Sequence, residues 1–185
     1  PYFSMILVRC PDDARKELKK EVEEKGRNVT ARRGLPEGVA LVVLGPGGLG
    51  LAATLKPLLP GSDVHGLEGR AEGKGTDVVF VDTASHLRDL FAQSRPIVGI
   101  CAAPILIRAL ASVLADKHLE PPVVAVADDG SAAVPLLGGH HGANDLARAA
   151  GSALGGAAAI TTAGDLHLGI ALDEPPPGWR LANPE

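Results

Sequence analysis

Residues 96–128 read PIVGICAAPILIRALASVLADKHLEPPVVAVAD, and this stretch decides the fold of the chain. The run PIVGIC is rich in β-branched residues and predicts a strand, PILIRALASVL predicts a helix, and PVVAVAD predicts a second strand. Uninterrupted apolar strands that alternate with helices are typical of a largely parallel sheet with helices on both faces.

The same alternation runs from Ala40 almost to the end of the chain. Further strands are predicted at ALVVLG, DVHGL, DVVFVD, AAVPLL and AAITTAGD, and further helices at GLGLAATLKPLL, ASHLRDLFAQ and GANDLARAAGSAL. We therefore predict an α/β fold, a doubly wound sandwich with a mostly parallel sheet of the flavodoxin or Rossmann type.

Residues 1–38 differ in composition from the rest, because lysine and glutamate are concentrated there. They predict a βαβ-like segment, with strands at MILVRC and RNVTAR around a helix at DDARKELKKEVEEKG. We interpret this segment as appended or engineered, and residues 39–185 as the α/β region. The two are expected to form one compact domain.

The composition limits the classes of function. The chain has 185 residues, 45% of them hydrophobic, and a net charge of -4, which predicts a soluble protein that binds neither nucleic acid nor membranes. Cys10 and Cys101 lie far apart in the sequence, which favours neither a disulfide framework nor a zinc site. We find no signal segment and no apolar run long enough to span a bilayer, and we expect a cytoplasmic location.

Ligands of such sheets bind beyond the carboxyl ends of strands, where helices begin, and three turns of this kind contain informative residues. The first, LGPGGLG at residues 44–50, lacks both the GxGxxG spacing and a P-loop lysine, which favours a tight glycine turn over a nucleotide site. In the second, Cys101 is either a nucleophile with a histidine as its base or a small buried hydrophobic residue. Arg108, inside an apolar helix, requires an internal ion pair or a ligand.

The third turn, GGHHGAN, lies between the strand AAVPLL and the last helix. Gly138 and Gly139 let a ligand approach the backbone, and the N–H groups at the start of the helix are suited to carboxylates or phosphates. Asn144 or Asp145 is the expected cap of that helix.

Two adjacent histidines, His140 and His141, stand in this third turn. They are candidates for a general base, an anion donor or a metal ligand. Adjacent side chains in an extended segment diverge, which disfavours a metal shared by both. The alternative is that one histidine caps the helix while the other is solvated.

Two stretches carry a resemblance to a known family. They are residues 97–165, IVGICAAPILIRALASVLADKHLEPPVVAVADDGSAAVPLLGGHHGANDLARAAGSALGGAAAITTAGD, and the closing GIALDEPPPGWRLANPE. Family members read Ser-Gly-His-x-Gly-Gly-Ala-Asn-x-Leu-Ala where this chain has GGHHGANDLA, and Val-Ile-Thr-Thr-Ala-x-Asp where it has AAITTAGD. On these motifs, residues 40–185 resemble the N-terminal region of the CbiG family, the cobalt-precorrin-5A hydrolases of cobalamin biosynthesis.

The resemblance implies a set of site residues. The positions that match the family are Arg108, Lys117, His140, Asn144, Thr161, Thr162 and Asp165. Together with Gly138, Gly139 and His141 of the third turn, they form the predicted site. The chain departs from the family pattern at Cys101, Pro104, His141 and Gly164.

The resemblance also implies a chemistry. The substrate is a cobalt-bearing tetrapyrrole rich in carboxylates, whose ring A δ-lactone is opened with release of acetaldehyde. Arg108 and Lys117 are then expected to pair with carboxylates, and His140 to act as a general base oriented by Asp165. Loop N–H groups are expected to hold the oxyanion. No cofactor or metal site of the protein is expected, because the cobalt belongs to the substrate.

The resemblance extends to partners. A C-terminal CbiG domain or a fused precorrin-3B C17-methyltransferase is the expected protein partner of this region. The alternative function is a tetrapyrrole-binding module, or a truncated or chimeric α/β protein, without turnover.

Overall fold

The computed structural model describes residues 7–9, 35–161 and 179–181. The chain divides into two compact units, one of residues 34–160 and one of residues 1–33 together with 161–185.

In the unit that joins the chain ends, β1 (Leu7–Arg9) pairs antiparallel with β9 (Trp179–Leu181). β1 lies within the predicted strand MILVRC. The predicted helix that follows and the predicted strand RNVTAR lie outside the described residues.

The unit of residues 34–160 is built on a seven-stranded sheet with the spatial order β4-β3-β2-β5-β6-β7-β8. β2 to β6 are parallel to one another, β7 is antiparallel to β6, and β8 is parallel to β7. The sheet is mostly parallel, as predicted. Its strands are β2 (Ala40–Val43), β3 (Asp63–Leu67), β4 (Val78–Phe80), β5 (Ile97–Ile100), β6 (Val123–Val126), β7 (Ala132–Leu137) and β8 (Ala157–Ala158).

Helices cover both faces of this sheet. Side chains of successive strand residues point to opposite faces, so Leu41 and Val43 pack in one core and Ala40 and Val42 in the other. The first core contains α1 and α4, and the second contains α2 and α3, which confirms the predicted doubly wound sandwich. Within residues 35–161 the α-helices are α1 (Gly47–Leu55), α2 (Thr83–Ala92), α3 (Ala103–Leu110) and α4 (Ala143–Leu154).

The turn LGPGGLG is a close-packed entry into α1. A Cβ atom on Gly48 would lie 2.8 Å from Val43 Cγ1 and 3.0 Å from Ile100 Cγ2. The absence of a side chain at this position therefore lets α1 lie directly on β2 and β5. This packing role agrees with the prediction of a tight glycine turn rather than a nucleotide loop.

The direction of β7 decides where the third predicted turn lies. The parallel strands β2 to β6 begin at one edge of the sheet, the amino edge, and end at the other, the carboxyl edge. The last residue of β7, Leu137, pairs with Val123, the first residue of β6. The turn after β7 therefore lies at the amino edge, and the prediction that groups it with the first two turns is wrong.

The connection between β6 and β7 explains this reversal. Residues 127–131 join the two strands, and the N–H of Ala127 donates to the carbonyl of Ala132 across 2.9 Å. A connection this short forms a hairpin, whereas a parallel neighbour needs a crossover of a dozen or more residues.

Candidate functional site

The amino edge gathers several of the predicted site residues. Gly138 and Gly139 follow β7 there and lead into α4. Arg108 is in the last turn of α3, and Lys117 lies in the connection from α3 to the start of β6. Both cations are exposed. The topology therefore places two cations and the glycine-rich turn at the same edge of the sheet.

The turn of residues 138–142, called the glycine loop below, has a backbone that glycine alone suits. Gly138 has a φ of 65° and Gly142 a φ of 102°, in the left-handed region. A Cβ atom on Gly138 would lie 2.7 Å from the carbonyl oxygen of Pro121. The carbonyl of Gly138 accepts hydrogen bonds from the N–H groups of His141 at 2.9 Å and Ala143 at 3.1 Å. These contacts fix the path of the loop.

The imidazole of His141 is anchored to a backbone carbonyl. Its Nδ1 lies 2.7 Å from the carbonyl oxygen of Glu120, in the connection between α3 and β6. Since a carbonyl only accepts, Nδ1 carries a proton, and in the neutral ring the lone pair is on Nε2. His140 is described by its backbone, which lies in the short 3₁₀ helix Gly139–His141.

The start of α4 differs from the prediction. The N-cap is Gly142, which has no side chain to make a capping hydrogen bond. Neither Asn144 nor Asp145 is the cap. The helix begins directly after the left-handed Gly142, so both residues lie in its first turn. Asp145 pairs with Arg148 at 2.9 Å, and Asn144 is buried.

Among the described residues, Arg108 has no partner for the internal ion pair that one interpretation of its apolar helix requires. The buried face of α3 consists of Leu106, Ala109 and Leu110, and the side chain of Arg108 is exposed. An exposed guanidinium needs no buried partner. The remaining interpretation, a ligand contact, stays a prediction.

Cys101 is a buried hydrophobic residue and not an activated nucleophile. It is 5% exposed, and burial, assisted by the negative charge of Asp128, raises the pKa of its thiol to about 11. It follows β5 at the carboxyl edge, whereas the two histidines lie at the amino edge. The thiol and its predicted base therefore lie at opposite ends of the strands.

A polar cluster that was not predicted from the sequence lies between β3 and α2. The ring of His65, 3% exposed, has Nε2 2.8 Å from Asp63 Oδ1 and Nδ1 2.8 Å from His86 Nε2. Arg95 donates to Asp63 Oδ1 at 2.6 Å and to the carbonyl of Gly38 at 2.9 Å. The sequence DVHGL contains a signal for this cluster, because an aspartate and a histidine two positions apart lie on the same face of an otherwise apolar strand.

The pKa values of two members of this cluster, His86 and Asp63, are both lowered. Burial lowers the pKa of His86, and the neighbouring His65 lowers it further. Burial opposes ionisation of Asp63, but hydrogen bonds from Arg95 and His65 outweigh it and lower the pKa of that carboxyl. Folding therefore favours the ionised form of Asp63 and the neutral form of His86.

The final predicted motif falls at the limit of the described chain. Thr161 is exposed, whereas Thr162 and Asp165 lie outside the described residues. Among the side chains that the structure describes, no three of His, Cys, Asp or Glu form a group able to hold a metal ion. None of the helices described is long and apolar enough to cross a membrane.

Comparison with known proteins adds independent findings. A family described as Cobalamin synthesis G N-terminal matches residues 85–165. A curated protein of Salmonella typhimurium named cobalt-precorrin-5A hydrolase is 38% identical over 140 residues, which is 75% of this chain and 39% of that protein. A protein of the same name from Priestia megaterium is 28% identical over 158 residues, 83% of this chain and 41% of its own. The chain thus spans about two fifths of the length of these relatives.

A solved structure supports the fold. It is the crystal structure of a cobalamin biosynthesis protein G homologue from Sulfolobus solfataricus, with a TM-score of 0.52 and 22% sequence identity. The similarity covers 69% of this chain and 38% of that chain. The family match includes the glycine loop, Arg108 and Lys117, and together with the two named relatives it shows that this chain belongs to the CbiG family.

Proposed function

We propose that this chain acts in the hydrolysis of cobalt-precorrin-5A, opening the ring A δ-lactone with release of acetaldehyde. The observation that carries the proposal is the amino edge, where the glycine loop lies at the same edge as two exposed cations, Arg108 and Lys117. The names of the two curated relatives support the substrate and the reaction.

The cations fit the chemistry of such a substrate. A tetrapyrrole that carries acetate and propionate groups presents several carboxylates, and a guanidinium binds a carboxylate through two parallel hydrogen bonds. Arg108 and Lys117 are exposed, so neither side chain has to leave a buried environment to contact a ligand. We assign them to substrate carboxylates, with Asn144, Thr161 and Thr162 as further contacts.

The glycine loop fits the lactone. Attack of water on the lactone carbonyl creates an oxyanion, which N–H groups of Gly138 and Gly139 are suited to stabilise. A histidine of the loop supplies the base. The family resemblance gives this role to His140, with Asp165 to orient it. The cobalt ion is part of the substrate in this proposal, and a C-terminal CbiG domain or a fused methyltransferase is the proposed partner.

A binding experiment tests the substrate class. We would titrate the full chain with a cobalt corrinoid that has free carboxylates and follow its visible spectrum. Arg108→Gln is expected to weaken binding about tenfold or more, the cost of a hydrogen bond to a charged group. The matched control is Arg70→Gln, because Arg70 is also exposed but follows β3 at the carboxyl edge. Equal effects of both substitutions would refute the assignment of Arg108.

A turnover experiment tests the reaction. Incubation with cobalt-precorrin-5A is expected to release acetaldehyde, detected by its reduction with NADH and alcohol dehydrogenase. Saturable binding without acetaldehyde would instead identify a tetrapyrrole-binding module. No binding at all would refute both functions.

A further inference from the structure

We infer that His141 is the general base of the lactone-opening step, acting through Nε2. The inference rests on the proposed function and specifies a residue for it. Its evidence is the hydrogen bond between His141 Nδ1 and the carbonyl of Glu120, 2.7 Å long.

This hydrogen bond selects one tautomer of the ring. The carbonyl oxygen of Glu120 accepts, so the Nδ1 proton is held there and the lone pair of the neutral ring is left on Nε2. Among the described residues, no protein group hydrogen-bonds to Nε2. A histidine with one nitrogen held by the protein and the other available is the arrangement that a general base requires.

The backbone around His141 holds the ring in place. Its N–H donates to the carbonyl of Gly138 at 2.9 Å, and Gly138 lies tightly against Pro121. Glu120 directly precedes Pro121 and Pro122, which lead into β6. The loop and the ring are therefore attached to the same short segment, which limits movement of Nε2 relative to the loop N–H groups.

The step balances as an ester hydrolysis. His141 Nε2 takes a proton from water while the water oxygen bonds to the lactone carbonyl carbon, and the carbonyl π electrons move to its oxygen. When the carbonyl re-forms, the bond from the acyl carbon to the ring oxygen breaks, and that oxygen takes the proton from Nε2. The products of this step are a carboxyl group and a hydroxyl group, and the imidazole returns to its neutral form. Acetaldehyde leaves in a following step: the bond between the macrocycle and the hydroxyl-bearing carbon breaks, the hydroxyl loses its proton as its oxygen becomes the aldehyde carbonyl, and the macrocycle carbon keeps the electron pair and takes up a proton.

The decisive variant is His141→Asn. The asparagine amide nitrogen takes nearly the place of Nδ1 and keeps a donor for the carbonyl of Glu120, but it has no group at the place of Nε2. We expect acetaldehyde release to fall about 100-fold or more, the usual effect of losing a general base. The corrinoid affinity and the melting temperature are expected to stay close to those of the parent.

Two control variants separate the alternatives. His118→Gln removes an exposed histidine of the same connection and is expected to leave the rate unchanged. His140→Gln is expected to lower the rate only a few-fold. A loss of two orders of magnitude in His140→Gln with little effect in His141→Asn would overturn the inference while leaving the proposed function intact.

Two further outcomes are distinguishable. Parent-like activity in His141→Asn but not in His141→Ala would make His141 a positioning residue that only anchors the loop. Absence of turnover in the parent would end the proposed function and the base assignment together. The ¹⁵N chemical shifts of the His141 ring provide a readout besides activity, since a proton on Nε2 instead of Nδ1 at neutral pH would contradict the inference.

Discussion

His65 uses both nitrogens of its ring inside the protein. Because the carboxylate of Asp63 can only accept, Nε2 of His65 carries a proton, and in the neutral ring Nδ1 accepts from Nε2–H of His86. The result is a directed chain of donors and acceptors that ends on an ionised carboxylate. A second proton on His86 would place a positive charge in a half-buried site, and burial opposes that charge.

The hydrogen-bonded side chains of His86, His65 and Asp63 predict that the stability of the protein depends on pH. Burial lowers the pKa of His86 in the folded protein below its ordinary 6.5, so the unfolded state binds protons first. The contribution of neutral His86 to the stability of the folded state is complete above pH 6.5 and is lost as the pH falls below that value. The melting temperature of the parent is expected to fall between about pH 7.5 and about pH 5.5.

His86→Gln tests this prediction, because glutamine keeps a donor for His65 but does not titrate. The fall in melting temperature over the same pH range is expected to be smaller in this variant by a few degrees. The control is His118→Gln, which removes an exposed histidine. An unchanged fall in His86→Gln would mean that the acid sensitivity arises elsewhere.

Asp63 is the acceptor for both His65 and Arg95, so its removal affects two partners at once. We expect Asp63→Ala to lower the free energy of unfolding by about 2 kcal/mol or more, because a buried imidazole N–H loses its partner. Urea denaturation measures this. Asp145→Ala, which breaks the exposed pair with Arg148, is expected to cost less than about 1 kcal/mol. Similar losses in the two variants would contradict the structural role of the cluster.

At the scale of elements, the strands and helices of residues 40–158 could be predicted from the sequence, because their apolar periods are regular. DVHGL and AAVPLL match β3 and β7 residue for residue. The direction of β7 was missed, although ADDGS between two apolar runs is a hairpin signal. That one error placed the glycine loop beside Cys101 instead of beside Glu120.

The site could be predicted only in part. The glycine loop stood out because two glycines and two histidines precede a helix. Its anchor could not be found, since the acceptor is a backbone carbonyl of Glu120 and every residue has one. The cap was mispredicted because Gly142 in a left-handed conformation replaces a polar side chain.

The conformation of the glycine loop predicts that substitution of Gly138 lowers the stability of the protein. Gly138→Ala introduces both a left-handed alanine and a contact of 2.7 Å with the carbonyl of Pro121. Gly155, at the end of α4, has a φ of 70° but nothing within 4 Å of an added Cβ. Gly155→Ala therefore reports the backbone strain alone, which is about 1–2 kcal/mol.

We expect Gly138→Ala to cost at least about 1 kcal/mol more than Gly155→Ala, the usual minimum for overpacking. The free energy of unfolding in urea, compared between the two variants, checks this difference. Equal costs would show that the loop relaxes around the new methyl group, and the rigid placement of His141 would then be wrong.

At the scale of the whole molecule, the unit of residues 34–160 contains a complete sandwich. Its sheet has both faces covered, and the buried residues of both cores lie between Val39 and Ala150. A protein fragment with its own two cores is expected to fold by itself. We predict that residues 34–160 alone unfold in a single cooperative transition, measured by circular dichroism on heating. A broad, non-cooperative loss of signal would show that the sandwich depends on the remaining residues.

The hairpin of β6 and β7 has a consequence for the order of folding. Val126 pairs with Ala133 across a short turn, whereas β2 and β5, which pair Ala40 with Ile97, are separated in the sequence by α1, β3, β4 and α2. Closing a short loop loses less chain entropy, so we expect the hairpin to form before the parallel strands assemble. Two segments hold His141: the glycine loop and the residues that lead into β6. They would then come into contact early, so the position of His141 would be fixed before most strands of the sheet have paired.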